Sequence, residues 1–446
     1  MDHNSKILTI AVVAIVLIAG IGSAIYLLTG SDSGEKRINT TEKALVYGNA
    51  NNDYAIDQLD IDFIQDIVDK KTTWNKTANP FADADNDGTI TSKDVELVKK
   101  IINDEPCNVY YYNHFGESQE ISYPQKDKRI AVTYWQQAEE MAILGVWDNV
   151  YVANASVMTK TNLYDLSHVT SIGKSSGSAL DAAQVETILE NKIDLIIGSA
   201  YDTVRQYADP LKSKGVETIY LWHAGDYCLS TILTLGVLMD EEEAAEKFLK
   251  YWVNIQEMLN DRLPAEKDRP SIVITMMHAD EDRYIGSYGG IFTSVNDPAG
   301  EWILIKNLGN VYTTEVTGNK TLGRNFYQPE WFIEHAFDYM VIMGSGTGAT
   351  NQDEYNAWFE GMVDKYYSKT QEYADGNLLG VTYAFGGFSG YSLMGVLAWM
   401  IYPDLFTHEE AVDIMQEFYD NFTDKRIDCT TLPQYYLGTG YDASYL

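Results

Sequence analysis

Oxygen-bearing side chains recur in the stretch DADNDGTITSKD at a spacing suited to a hard cation. Asp83, Asp85, Asp87, Thr91 and Asp94 stand at positions 1, 3, 5, 9 and 12 of a loop, with Thr89 among them. Gly88 falls at position 6, where the backbone of such a loop turns with positive φ. An all-oxygen set with four carboxylates is the chemistry of calcium. An earlier copy uses Asn49, Asn51, Asp53, Asp57 and Asp60 and has Tyr54 in place of the glycine. With three carboxylates and no turn glycine, it is expected to hold calcium more weakly. After each loop, apolar residues follow at helical spacing, Ile61, Ile64 and Ile67 in one and Val95, Val98 and Ile101 in the other. A polar turn before a helix explains either loop alone. Two in register, each followed by the same apolar pattern, point to calcium.

The ligand spacing is that of an EF-hand calcium loop with Asp rather than Glu in the last position. The pair, each with a helix only on its carboxyl side, resembles a dockerin domain, and the resemblance covers residues 44–106. It implies two calcium sites, the second stronger, and a cohesin-domain protein as a surface assembly partner. Gln58 and Leu59 in the first copy and Ser92 and Lys93 in the second are unlike, which departs from the usual recognition pairs.

The elements around this module read in order. Residues 7–28 carry no charge and are long enough to cross a bilayer core of about 30 Å. Residues 1–30 are therefore expected to be a transmembrane anchor, fixing the chain to the cell membrane with its domains outside. Residues 31–43 read as a polar linker. From 107 onward, strand patterns at 130–133, 149–153, 194–198, 218–222, 271–276, 310–314 and 339–344 alternate with helical ones. That alternation predicts α/β architecture with parallel sheets covered by helices. Residues 241–263 predict one long helix, with Ala245, Phe248, Leu249, Trp252, Ile255 and Leu259 on its buried face. It divides a first lobe, 107–240, from a second, 264–446.

The phrases KRIAV, ILGVWDNVYVA, AAQVETILENKIDLIIG, RPSIVIT, QPEWFIEHAFDYMVIMG and LAWMIYPDLF are similar to those of the substrate-binding proteins of ABC importers for iron chelates, haem and cobalamin. The likeness spans most of 108–430. It departs where Ile193 and Phe337 replace the usual Pro before Asp. It implies a two-lobed Rossmann-like fold joined by one helix, no enzymatic activity, and a metal-chelate ligand such as a ferric siderophore, haem or a cobalamin-type corrinoid. It also implies an ABC permease as partner. In this family an exposed Glu on each lobe, eight residues before the Asp that opens a strand, pairs with permease arginines; Glu186 and Glu330 hold those places.

In such a fold, strand ends and the loops after them face the crevice between lobes. That places Tyr134, Trp135, Ser175, Ser176, Tyr201, Trp222 and His223 on the first lobe as ligand candidates. On the second are His278, Arg283, Tyr284, Tyr288, Arg324 and the segment Tyr383–Phe388, with Phe385 at its centre. Aromatic walls with a few cations suit a bulky, partly anionic chelate. His223 and His278 each follow a strand in opposite lobes and could meet on a metal, although structural histidines are the commoner reading.

Composition closes off other classes. The chain has 446 residues and a formal charge of −33, which excludes a broad nucleic-acid surface. Three scattered cysteines exclude a disulfide scaffold, though one bridge could form. The alternatives are a glycan-active enzyme, since dockerins often accompany glycoside hydrolases, or an adhesion or assembly module. No nucleophile elbow, phosphate loop or zinc helix supports an enzyme.

Overall fold

A computed structural model describes residues 37–173, 180–198, 205–221, 228–278, 291–295, 307–311, 323–335, 337–345, 351–382, 387–431 and 435–436. The oxygen-rich repeat forms two helices of 11 residues, α1 (Gln58–Val68) and α2 (Ser92–Ile102). Ile61 and Ile64 of α1 are buried, as are Val95, Val98 and Ile101 of α2. Each helix starts in a reciprocal cap, Asp57 with Asp60 and Thr91 with Asp94.

A hairpin follows, β1 (Cys107–Tyr112) antiparallel to β2 (Ser118–Tyr123). The first lobe then alternates β3 (Ile130–Val132), α3 (Trp135–Ile143), β4 (Val150–Ala153), β5 (Thr170–Ser171), α4 (Ala182–Glu190), β6 (Leu195–Gly198), α5 (Ala208–Lys212) and β7 (Glu217–Tyr220). Its five strands are all parallel, in the order β5-β4-β3-β6-β7. Both faces are covered, so Ile130, Val132, Leu195, Ile196 and Ile197 read as unbroken apolar runs.

Two helices lead out of this lobe, α6 (Cys228–Met239) and α7 (Glu242–Arg262). The predicted face of α7 is the observed one, with Ala245, Phe248, Leu249, Trp252, Ile255 and Leu259 all buried. Phe248 meets the rings of Phe388, Tyr391, Phe418 and Phe422, which ties α7 to the second lobe.

That lobe holds β8 (Ser271–His278), β9 (Ile291–Val295), β10 (Asn310–Val311), β11 (Gly323–Tyr327), α8 (Pro329–Glu334), β12 (Tyr339–Ser345), β13 (Leu378–Thr382) and β14 (Tyr435–Tyr436). Its sheet is mixed. β8, β10, β12 and β13 are parallel; at one side β9 is antiparallel to β8 and β11 to β9, and at the other β14 is antiparallel to β13. The expectation of a purely parallel sheet fails here because β9 lies antiparallel between β8 and β11, and β14 antiparallel to β13.

The anchor expectation is corrected. Among the described residues no helix is long and apolar enough to cross a membrane. The longest, α7, is rich in charge, and the apolar helix α6 has 12 residues packed in the core. The placement as a single-pass membrane protein with its domains outside is therefore withdrawn; residues 7–28, from which it was read, lie outside the described residues. Cys107, Cys228 and Cys429 are free thiols.

Candidate functional site

The two oxygen-rich loops share one hydrogen-bond scheme. Asp60 accepts from Asn51 N (3.1 Å) and Asp57 N (2.8 Å); Asp94 accepts from Asp85 N (3.2 Å) and Thr91 N (2.7 Å). Asp53 N donates to Asn49 and Asn51, as Asp87 N donates to Asp83 and Asp85. Asn52 and Asn86, fourth in their loops, both take positive φ. Thr89 donates its hydroxyl to Asp87 at 2.7 Å.

The loops part at the sixth position and in their charge. Gly88, at φ +94, brings its N–H to 2.9 Å from Asp83 Oδ2. Tyr54 instead joins the apolar core. Asp83, Asp85 and Asp87 each offer an oxygen, and these lie within 4.8 Å of one another. In the first loop the Arg37 guanidinium sits 3.0 Å from Asp53 and 2.9 Å from Asp57, over the Tyr54 ring.

Burial is the main force raising the carboxyls of Asp83 and Asp94, and it raises Asp60 well above the usual range. Carboxylates drawn out of water beside one another call for a cation. With oxygen donors alone and the turn glycine in place, the second loop fits calcium, which Asp83, Asp85, Asp87, Thr91 and Asp94 would hold.

In the two-lobed unit, strand order reverses between β3 and β6 in one lobe and between β8 and β12 in the other. Ligands of open α/β sheets bind at such points. Tyr134 and Trp135 follow β3 directly, with ring centroids 6.2 Å apart. Gln137 fixes this turn by accepting from Thr133 N (2.6 Å) and Tyr134 N (2.9 Å). His278 ends β8, opposite Ser345 of β12, and Arg324 lies on β11 opposite Ser294 of β9. Ser175, Ser176, Tyr201, Trp222, His223, Arg283, Tyr284, Tyr288 and Phe385 lie outside the described residues, and with them the pairing of His223 and His278.

Beside Trp135 stand two residues that sequence reasoning missed. Lys160 holds its ammonium 4.5 Å from the Trp135 ring. Glu139, 5% exposed, reaches across to the second lobe and accepts from Phe388 N (2.8 Å) and Ser389 Oγ (2.9 Å). Burial raises the Glu139 carboxyl, with Lys160 and the bonds from residues 388 and 389 opposing; burial likewise lowers Lys160, with Glu139 opposing. All nine residues of α3 are buried, Gln136, Gln137, Glu139 and Glu140 included. Four polar residues on a helix directly after a strand at the switch point are the signal that could have found this junction.

Glu186 on α4 and Glu330 on α8 are both exposed. Asp194 accepts from Arg129 N (3.1 Å) and Asp338 from Ser271 N (2.7 Å). Each helix thus precedes the strand that pairs with the first strand of its lobe.

Residues 130–365, more than half of the chain, match the family described as periplasmic binding protein. The chain belongs to the periplasmic binding protein family. Residues 47–103 match the dockerin type I domain, a calcium-binding module. No curated protein matches. Among solved structures, the TroA-like periplasmic binding protein FepB from Veillonella parvula is 16% identical, with a TM-score of 0.52 over 74% of this chain and 97% of that one. CeuE from Helicobacter pylori, in a Ni-His complex, is 16% identical, with a TM-score of 0.52 over 72% of this chain and 96% of that one. At that identity they share the fold. The family is one of solute-binding proteins rather than enzymes.

Proposed function

We propose that this periplasmic binding protein captures a metal chelate, a ferric siderophore, haem or a cobalamin-type corrinoid, between its lobes and delivers it to an ABC permease. The observation that carries the reading is the wall at the first switch point, where Lys160 lies over Trp135 beside Tyr134. Such a pair puts ring area and a cation, held beside Glu139, at the junction of the lobes, where a bulky ligand with acidic groups would meet them. The Ni-His complex of the similarly folded CeuE supports a metal chelate as the ligand class. Ser175, Ser176, Tyr201, Trp222, His223, His278, Arg283, Tyr284, Tyr288, Arg324 and Phe385 would complete the site.

The dockerin module would take calcium at both loops, the second more tightly, and a cohesin-domain protein is the partner it fits. The test is a titration of ferric siderophores, haem and corrinoids against the full chain, read by tryptophan fluorescence. One of the three should give a saturable response that the Trp135→Ala variant weakens. A flat signal for all three overturns the chelate reading.

A further inference from the structure

The calcium module does not hang from a free tether. Residues 44–47 run beside β1, with Val46 bridged antiparallel to Tyr111, Tyr47 N donating to Tyr110 O and Tyr112 N to Leu45 O, both at 2.8 Å. The module so bridges the free edge of β1 in the two-stranded β1–β2 hairpin. Leu45 N donates to Thr234 Oγ1 of α6 at 2.8 Å, and Tyr123 of the hairpin donates its hydroxyl to Ile101 O of α2 at 3.0 Å. Val95, Val98 and Ile101 share one apolar core with Val109, Tyr111, Ile121 and Tyr123. At the second loop, Asn86 reaches Ser118 Oγ at the start of β2, 3.0 Å away.

The hairpin also holds the edge of the first lobe's sheet. Tyr220 N donates to the Tyr111 hydroxyl at 3.0 Å, Gln119 Nε2 to Thr218 O at 2.7 Å, and Ser122 N to Glu217 at 3.1 Å. β7 is thereby paired to β6 on one side and stitched to the hairpin on the other.

We infer that the inner face of the calcium module is a docking surface for the chain's own hairpin, and that calcium in the second loop is felt by the solute-binding lobe through the Asn86–Ser118 contact and the shared core. The inference rests on the calcium site proposed above. A cation that binds the ordered loop and not the loosened one stabilises whatever is packed on that loop. Without it, the carboxylates of Asp83, Asp85, Asp87 and Asp94 repel one another in the loop that carries Asn86.

Hydrogen exchange on the full chain, in calcium against chelator, tests this without any chelate ligand. Calcium should slow exchange several-fold in residues 83–94 and also in 107–123 and 217–220. In Asn86→Gly, which keeps the positive φ available, residues 83–94 should remain protected while the gain in 107–123 shrinks. Protection confined to the loops, or an undiminished hairpin gain in Asn86→Gly, overturns the coupling and leaves the calcium site standing. No protection in 83–94 overturns both. Failure of every chelate to bind would touch neither result.

Discussion

Arg37 places its guanidinium 3.0 Å from the Asp53 carboxylate, inside the first of the two calcium-type loops. The same nitrogen lies 2.9 Å from Asp57, so two of that loop's three carboxylates already face a fixed positive charge. A divalent cation entering there must displace Arg37 or bind beside it. Arg37→Ala should therefore strengthen calcium binding at the first loop by up to about fivefold, the size of a partly exposed ion pair, and leave the second unchanged. Two-site calorimetric titration checks this; equal first-loop affinity in both proteins would show that Arg37 is a bystander.

The loops and the long helix were legible because each is written in adjacent residues. Ligand spacing from Asp83 to Asp94 and the apolar face from Ala245 to Leu259 need no knowledge of the rest of the chain. What sequence reasoning missed depends on partners far away in the chain. Glu139 finds Phe388 and Ser389 across the lobes, and nothing near Glu139 in sequence announces them. Arg37 fell within a stretch read as linker, yet it is folded onto the first loop. β9 and β11 went unseen because short strands such as IFTSV and GRNFY give a weak periodic signal, and β9 finds its partners in β8 and β11.

Glu139 and Gly387 meet so closely that a Cβ on the glycine would collide with Glu139 Oε2 and lie 2.6 Å from the Trp135 ring. The seam between lobes is tight at this point and polar. Glu139→Ala would leave Phe388 N and Ser389 without their acceptor and Lys160 without its counter-charge, costing about 2–3 kcal/mol. Gly387→Ala should cost ~1–3 kcal/mol by overpacking. Glu139→Gln, which keeps one acceptor oxygen, should be milder than Glu139→Ala. Urea unfolding measures all three; a Glu139→Ala protein as stable as the parent would remove the seam from the account.

Glu242, in the first turn of α7, is driven up to about 7 by burial, with Asp240, Asp104 and Glu241 adding to the effect. Asp104 is raised as well, first by its hydrogen bond with Asp240. Lys126 is the cation at this cluster, in contact with Asp240. Because the folded value for Glu242 lies above the ordinary 4.5, the folded state keeps a proton that the unfolded chain has lost between those limits. Its stabilising contribution is full below about pH 4.5 and fades as pH rises through 7. Thermal unfolding should therefore show a gain on acidifying from pH 7.5 toward 5, up to ~3 kcal/mol from this group. Glu242→Gln should flatten that slope, and an unchanged slope would assign the pH dependence elsewhere.

Glu186 and Glu330 occupy equivalent places, each on a helix that precedes the strand paired to the first strand of its lobe. Asp194 and Asp338, eight residues further on, tie those strands to Arg129 N and Ser271 N in the same manner. The dipole alone explains a glutamate in a first helical turn, and Glu330 sits there; Glu186 is further along α4, where the dipole offers less. Two exposed carboxylates at equivalent points of two lobes match a partner that presents a cation to each. As rim charges they would set the rate and salt dependence of docking rather than the affinity for chelate. Reversing both to Lys should cut permease-dependent uptake tenfold or more while chelate affinity and unfolding midpoint stay within error. Normal uptake by the double variant, or chelate binding lost along with uptake, would show that these two residues do not dock the permease.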